Sequence, residues 1–268
     1  MHPVIGISSP VGHYRLVQGQ ELIDEVMVKP RSAFVVFPGV TCIDRPDWHQ
    51  ITTPALKDGG LNGVTLAVMS ESDADRRIDE TIAAYEEQGL RFRWTVGPHS
   101  RPLDLGSRLE KRGLKAVGVA GMAGHYAGQV GEPDIDVEVV GPDTLDEFND
   151  LMMRGWDLRS TVLCDYNAHV LRESGEQNPF FIARLAGQGV GVASYYRFAS
   201  SIYLVGAVVL PEFRKRGVYR SLVRARQAHA LKSGVSLATC HAMVESSAPV
   251  LAKLGFETVC DFTSYVNR

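Results

Sequence analysis

The chain is a weakly acidic polypeptide of 268 residues, 45% of them hydrophobic, with a formal net charge of −3. This length allows two modest hydrophobic cores, because single domains usually hold about 100–200 residues. The net charge excludes a protein that binds nucleic acid through its bulk electrostatics. The charge is uneven, because seven basic residues and one acidic residue lie between Pro211 and Lys232. Any anion-binding surface is therefore local.

The four cysteines, at positions 42, 164, 240 and 260, form no C-x-x-C pair and no His/Cys cluster with zinc spacing. They are typical of reduced thiols, and we expect no metal site. The N-terminus lacks the basic region and apolar stretch of a signal peptide. No apolar run reaches the roughly 18 residues that a membrane span requires. We therefore expect a soluble cytoplasmic protein that binds neither membrane nor nucleic acid.

The first half of the chain is predicted to alternate strands and helices. Ile78, Ile82 and Tyr85 follow helical spacing, and Gly89 ends that helix. Residues 40–60 are polar and rich in turn formers, and no strand is predicted there. The predicted elements, in order, are a helix at 17–28, strands at 32–37 and 63–68, a helix at 73–88, a strand at 90–96, a helix at 103–112 and a strand at 114–119.

The composition then shifts to Gly, Gln, Glu and Pro at 128–133, which indicates a linker. Beyond it, strands and helices alternate again, with a hairpin predicted across the glycines at 187–189. The predicted elements of this half are a strand at 135–140, helices at 143–156 and 164–173, strands at 180–185, 190–196 and 201–210, a helix at 218–232, a strand at 235–240, a helix at 247–254 and strands at 256–260 and 263–266.

The two halves share an order of elements. Gly113 and Gly255, which close corresponding short helices, are separated by nearly the same distance as Gly63 and Gly206. A duplicated domain accounts for this spacing. A general likeness between any two α/β halves is the alternative, and we expect the duplication.

The segment 208–222 is the most informative part of the sequence, since an apolar strand runs into a basic turn and then directly into a helix. Amide groups at a helix start lack partners and carry partial positive charge, and Gly217 allows close approach to the backbone. This combination is typical of a phosphate or pyrophosphate site. A solvated basic helix start is the alternative. At the corresponding place the first half has acidic residues (70–75), so only the second half is predicted to bind a phosphorylated cofactor.

This segment resembles the acetyl-CoA-binding motif of the GCN5-related N-acetyltransferases (GNAT). The motif, Arg/Gln-x-x-Gly-x-Gly/Ala, is met by Arg214 and Gly217, whereas Tyr219 departs from its last position. Residues 249–256, which end in Lys-Leu-Gly-Phe, resemble the closing helix and strand of the same family. The resemblance covers roughly residues 135–268.

The resemblance implies a fold and a domain organisation. The fold class expected is α/β (α+β), with two GNAT-like domains, each a mixed, mostly antiparallel sheet flanked by helices. The expected domains are a degenerate copy without a cofactor motif at 1–130 and an acetyl-CoA-binding domain at 135–268. The chain would then be a tandem-domain acetyltransferase. A monomer and a homodimer both fit this sequence.

The resemblance also implies an activity: an acyltransferase that moves acetyl from acetyl-CoA, its cosubstrate, to the amine of a small-molecule or amino-acid-like acceptor by direct attack. The Val209 amide would hold the carbonyl oxygen. Backbone pairing with the pantetheine arm and a cradle for the pyrophosphate would come from a contiguous set of residues. The cofactor-binding residues implied are Ala207, Val208, Val209, Arg214, Lys215, Arg216, Gly217, Val218, Tyr219 and Arg220.

Three positions depart from the family's catalytic pattern. Leu251 stands where many relatives have a tyrosine acid, Tyr203 where many have a glutamate base, and Val244 where the family has an asparagine. Tyr203 and His241 are the candidate catalytic residues, as a proton relay and as a base. A core aromatic and a structural histidine are the alternatives. Two functions compete with this one. The first is a non-catalytic acyl-CoA-binding or scaffold protein, and the second is an enzyme that catalyses another acyl-CoA reaction.

Overall fold

The computed structural model of the protein describes residues 17–33, 37–57, 60–126 and 135–267. Strands from both halves of the chain form one continuous sheet, and hydrophobic side chains pack helices against its two faces. The elements of the first half are α1 (Gln20–Met27), β1 (Thr41–Arg45), β2 (Trp48–Thr52), β3 (Gly63–Ala67), α2 (Glu71–Glu86), β4 (Arg93–Val96), α3 (Leu105–Lys111) and β5 (Lys115–His125).

The second half carries the remaining strands and helices, with short 3₁₀ helices at Pro142–Thr144 and Pro211–Phe213. Its elements are β6 (Asp136–Val139), α4 (Leu145–Trp156), α5 (Thr161–Ser174), β7 (Phe180–Leu185), β8 (Gln188–Arg197), β9 (Ile202–Val209), α6 (Val218–Leu231), β10 (Leu237–Met243), α7 (Ser247–Ala252) and β11 (Glu257–Val266).

The sheet has 11 strands in the order β1-β2-β3-β4-β11-β5-β10-β9-β8-β7-β6. Neighbours are antiparallel except for the pairs β3–β4 and β9–β10. At the centre the halves interleave: β11, from the second half, lies between β4 and β5 of the first. This mixed, mostly antiparallel sheet flanked by helices confirms the predicted fold class.

The element order of the first half recurs in the second. The series β3-α2-β4-α3-β5 corresponds to β9-α6-β10-α7-β11, and a hairpin precedes each series, β1–β2 and β7–β8. In both series the strands on either side of the longer helix form a parallel pair. The predicted linker at 128–133 lies outside the described residues, so the domain boundaries stay a prediction.

Apolar clusters hold helices against both faces of the sheet. In the first half Ile78, Trp94 and Leu109 are all completely buried. In the second half α6 packs on one face, where Leu222 meets β-strand side chains such as Ile202. On the opposite face α4 packs through Phe148. Apolar residues at helical spacing on α2, α4 and α6 place these helices as the sequence predicts.

Several boundaries differ from the prediction. The hairpin β1–β2 lies in the polar segment 40–60, where no strand was predicted, because β1 is an exposed edge strand with only Ile43 partly buried. Ser32 ends a 3₁₀ helix and does not begin a strand, and residues 34–36 of that predicted strand lie outside the described residues. The two strands predicted at 256–266 are one strand, β11, with an irregularity between Thr258 and Cys260.

Candidate functional site

The parallel strands β9 and β10 separate part-way along their length. They pair at Ile202–Ala238, Tyr203–Thr239 and Leu204–Cys240, and no further along. Beyond that point β10 continues against β5, and β9 continues against β8. A wedge-shaped gap therefore opens between the C-terminal ends of β9 and β10.

A β-bulge in β9 lies beside this gap. Val205 faces Ser194 and Val208 faces Val192, so two residues of β9, Gly206 and Ala207, oppose a single residue of β8. Gly206 has φ of 64°, and a Cβ there would come within 2.8 Å of the Ser194 Oγ. The bulge requires glycine at this point. The isolated glycine inside a strand pattern was the available sequence signal for it.

The bulge changes which β9 side chains face α6, and it sets the direction of the backbone groups. Ile202 and Leu204 face α6 before the bulge, and Val209 does so after it. Leu210 N–H donates to Val190 O at 3.0 Å, so by alternation the N–H and C=O of Val209 point away from β8, toward the gap. Arg214 Nε donates to Val209 O at 3.2 Å. The Val209 N–H is thus directed into the gap.

The turn between β9 and α6 brings its amide groups and basic side chains to the mouth of the gap. Lys215 and Gly217 both have positive φ, 64° and 84°, and α6 begins at Val218. Ser221 N–H donates to Gly217 O at 3.0 Å, the first backbone bond of the helix. The amides of the preceding turn lack acceptors within the helix and carry partial positive charge.

A cavity of about 670 Å³ lies between the gap, this turn and α7. Nine of the ten predicted cofactor-binding residues line it. The exception is Arg216, whose guanidinium carbon lies 5.4 Å from the centre of the Phe213 ring. Residues not predicted also line the cavity: Gly155, Trp156, Phe213, Arg224, Ser246, Ser247, Val250, Lys253 and Leu254. Most come from the ends of α4 and α7, whose approach depends on the tertiary fold.

Tyr203 and His241 are in hydrogen-bond contact at the root of the gap. Tyr203 Oη lies 3.1 Å from His241 Nδ1, and His241 Nε2 lies 2.9 Å from Val26 O in α1. A carbonyl oxygen only accepts, so Nε2 donates to Val26 and Nδ1 accepts the Tyr203 proton. Burial lowers the pKa of His241 to about 4 and raises the pKa of Tyr203. Both ring nitrogens are engaged, and a histidine with this pKa is neutral near pH 7.

The positions that depart from the family's catalytic pattern have separate surroundings. Leu251 is 1% exposed and belongs to the core beneath α6, whereas Val244 is exposed. Beside the cavity, Ser247 Oγ accepts the Met243 N–H at 2.9 Å. The hydroxyl groups at this end of the cavity therefore come from Ser246 and Ser247 at the start of α7.

The corresponding gap in the first half is closed. The strands β3 and β4 pair at Gly63–Arg93 and Val64–Trp94, after which Arg101 pairs with the end of β3. Arg101 N–H donates to Ala67 O at 2.9 Å, and Met69 N–H donates to Arg101 O at 3.2 Å. No comparable wedge remains between β3 and its neighbour in this part of the described structure.

The acidic start of α2 is occupied by internal contacts. Ser70 caps the helix by accepting the Asp73 N–H at 3.2 Å. Asp75 forms an ion pair with Arg108 of α3 at 2.8 Å. Further carboxylates of α2 pair with Arg76 and Arg112. These acids brace α2 against α3 and leave a surface unsuited to a phosphate.

Residues 144–256 match the model of the acetyltransferase (GNAT) family. The match runs from the start of α4 to the last residue before β11, so it includes the bulged strand, the basic turn and the gap. Residues 144–256 thus carry a GNAT acetyltransferase domain. No curated protein matches the chain.

The GNAT fold extends beyond the matched segment. A GCN5-related N-acetyltransferase from Kribbella flavida superposes with a TM-score of 0.63 at 13% identity, over 91% of this chain and 94% of that one. A conserved protein of unknown function from Staphylococcus epidermidis gives a TM-score of 0.62 at 11% identity, over 87% and 95%. A tandem GNAT protein from the clavulanic acid biosynthesis pathway gives 0.54 at 13% identity, over 94% and 89%. At these identities the likeness establishes the fold.

No helix among the described residues is long and apolar enough to cross a bilayer. The same residues contain no group of three or more His, Cys, Asp or Glu side chains that could hold a metal ion.

Proposed function

We propose that the protein is an acetyl-CoA-dependent N-acetyltransferase that acetylates the amine of a small-molecule or amino-acid-like acceptor. The observation that carries the proposal is the gap between β9 and β10, which opens into a large cavity beside a basic helix start. It lies within the GNAT domain, whose family chemistry is acetyl transfer.

The residues of the cavity fit a CoA donor. Amides of the first α6 turn, which have no acceptors within the helix, and the left-handed backbone at Lys215 and Gly217 form a concave anion site. Basic side chains surround the same space, which suits a pyrophosphate and a further phosphate. They are Arg214, Lys215, Arg220, Arg224 and Lys253. The exposed backbone edge of β9 at Ala207–Val209 would pair with the pantetheine arm.

In the proposed reaction the acceptor nitrogen attacks the thioester carbon directly. A C–N bond forms, the C–S bond breaks, and its electron pair leaves with the sulfur, while the nitrogen loses a proton. The Val209 N–H, directed into the gap, would hold the carbonyl oxygen as it gains negative charge. No covalent bond to the protein is required, and positioning of a neutral amine supplies much of the rate.

Tyr203 and His241 remain the proposed proton-handling pair. They meet at the root of the gap, and Tyr203 can pass its proton only through His241 Nδ1 in the arrangement observed. His241, with a pKa of about 4, is too weak a base to remove a proton efficiently from an ammonium group at neutral pH. The acceptor amine would therefore have to arrive neutral.

We further propose that the first half is a degenerate GNAT copy that braces the acceptor side of the second. Its closed gap and occupied α2 start support the loss of the cofactor site. Two of its contacts with the second half lie near this site: Val26 O accepts a hydrogen bond from His241 Nε2, and the Phe37 ring packs 5.8 Å from that of Tyr166. The tandem GNAT structure described above supports this organisation.

A non-catalytic acyl-CoA-binding protein is the second candidate. Leu251, buried where a proton donor is expected, and the fully engaged His241 favour it. Under this alternative the cavity holds acyl-CoA, and no acceptor is acetylated.

Two measurements separate the candidates. Titration calorimetry with acetyl-CoA tests binding, and a thiol-release assay with a panel of amines tests transfer, with product mass spectrometry to identify the acetylated compound. Binding with amine-dependent CoA release and an acetylated amine supports the enzyme. Binding with no release for any amine supports the non-catalytic protein. Release without acetylated amine would indicate a different acyl-CoA reaction, and absence of binding would refute both candidates.

A further inference from the structure

A buried arginine lies directly beneath the β9 bulge. Arg226 on α6 is 1% exposed. Its Nη1 donates to Ser194 O at 2.9 Å and to Val205 O at 3.4 Å, and its Nε donates to Leu222 O at 3.0 Å. Ser194 and Val205 face each other at the edge of the bulge, where the ladder between β8 and β9 is interrupted. The guanidinium therefore takes the place of missing ladder donors.

No acidic side chain of the described residues forms an ion pair with Arg226. Its Nη2 is buried without a hydrogen-bond partner, and its described contacts are all backbone carbonyls. Tyr219 on the same helix and Cys240 on β10 are titratable groups that interact electrostatically with it. Burial raises the pKa of Tyr219, and raises that of the Cys240 thiol to about 12, so both are uncharged at neutral pH. A guanidinium stays protonated in proteins.

Arg226 lies between the bulge and the cavity. Val205, which it binds, directly follows Leu204, the last β9 residue that pairs with β10. Tyr219, its neighbour two helical turns earlier on the same face of α6, lines the cavity. The guanidinium thus lies on the α6 side of β9, behind the lining of the cavity, whereas Arg220 and Arg224 line the cavity itself.

We propose that Arg226 is a positioning residue that fixes the bulge and places an uncompensated positive charge beneath the reacting thioester. This inference rests on the proposed function. When the C–S bond breaks, its electron pair moves to sulfur, and negative charge develops on the sulfur and the carbonyl oxygen. The buried Arg226 guanidinium, fixed in position and shielded from water, stabilises that negative charge while it keeps its own proton.

The titration of the bound CoA thiol tests this inference without knowledge of the acceptor. The thiolate fraction is followed by ultraviolet absorbance against pH for CoA free and bound to the full chain. A nearby cation lowers an acid's pKa by about one unit or more. The matched pair is Arg226→Lys, which keeps the charge, and Arg226→Gln, which keeps a donor for the carbonyls but removes the charge. Arg172→Gln, an exposed change on α5, is the control.

We expect the bound thiol to titrate at least about one unit below free CoA in the wild-type protein, in Arg226→Lys and in Arg172→Gln. In Arg226→Gln this shift is lost, while CoA affinity changes little because the mouth residues bind the phosphates. The inference is overturned if the bound CoA thiol has the same pKa in all variants. It is also overturned if Arg226→Lys and Arg226→Gln lose the pKa shift to the same extent. A wild-type protein that binds CoA without lowering its thiol pKa overturns it as well, even if a variant fails to fold. A wild-type protein that does not bind CoA refutes the proposed function instead.

Discussion

Gly217 offers a sharp test of the cofactor site, because its replacement acts on charge and backbone separately. Gly217 has φ of 84° and directly precedes α6, where the first-turn amides face the cavity. Gly217→Glu introduces a carboxylate at the proposed pyrophosphate position. Two like unit charges about 5 Å apart repel by about 3 kcal/mol at an effective dielectric constant near 20. The affinity for CoA should therefore fall by more than about a hundredfold.

The backbone cost of the same change is small by comparison. A side chain in the left-handed region costs about 1–2 kcal/mol of stability. For a chain of this size the melting temperature should fall by a few degrees only. Titration calorimetry with CoA measures the affinity, and a thermal melt confirms that the variant is folded.

Two controls isolate the charge. Gly217→Ala carries the strain without the carboxylate, and its Cβ would lie 3.4 Å from Arg220 Nη2. Gly234→Glu makes the same chemical change at φ of 76° in the turn after α6, where a Cβ meets nothing within 4 Å. Both should bind CoA within a few-fold of wild type. A Gly217→Glu protein that is folded and keeps wild-type affinity would refute the assignment of the turn as the phosphate site.

Three further outcomes follow from the fold and the site. Burial lowers the pKa of His241 to about 4 from an ordinary 6.5, so as the pH falls this side chain is protonated first in the unfolded chain. The free energy of unfolding should therefore fall by up to about 3 kcal/mol between pH 6.5 and pH 4. Denaturant melts of His241→Gln should lack this pH dependence, and an identical pH dependence would exclude His241 as its source. Gly206→Ala should lower stability by about 1–2 kcal/mol because of its positive φ and its contact with Ser194, seen as a lower midpoint in urea, whereas an unchanged midpoint would contradict the bulge. The fragment 135–268 expressed alone should be insoluble or unfolded, because β10 and β11 lose β5 between them; a folded monomeric fragment by circular dichroism and sedimentation would contradict this.

The strand, turn and helix at 202–231 could be predicted because their signals are contiguous: an apolar strand, basic residues, Gly217 and a helix start follow one another in the sequence. Arg226 was counted among the seven basic residues between Pro211 and Lys232, from which a local anion-binding surface was inferred. Its true position follows from helical spacing, since Tyr219, Leu222 and Arg226 share the inner face of α6. The positive charge of Arg226 does not by itself indicate a buried position. The Ser194 and Val205 carbonyls that accept its hydrogen bonds at the bulge are distant from it in the sequence.

The edge hairpin and the centre of the sheet were harder to predict for different reasons. The hairpin β1–β2 lacks the alternation of a half-buried strand, because β1 is exposed on nearly all of its residues. The insertion of β11 between β4 and β5 depends on pairing between residues far apart in the chain. Local sequence carries no record of such pairing, although the recurring element order indicates that the halves are related.

The interleaved centre of the sheet also constrains how the chain is made. The strand β5 lies between β10 and β11, so the first half acquires its last neighbour only after β11 (Glu257–Val266) has been made. An independent early domain emerging from the ribosome would fold before the rest. Here the edges of β5 stay unpaired until β10 and β11 of the second half have been made. Pairing between strands so far apart in the sequence favours slow folding. A chain that stops before β11 would therefore leave β4 and β5 without the strand that joins them.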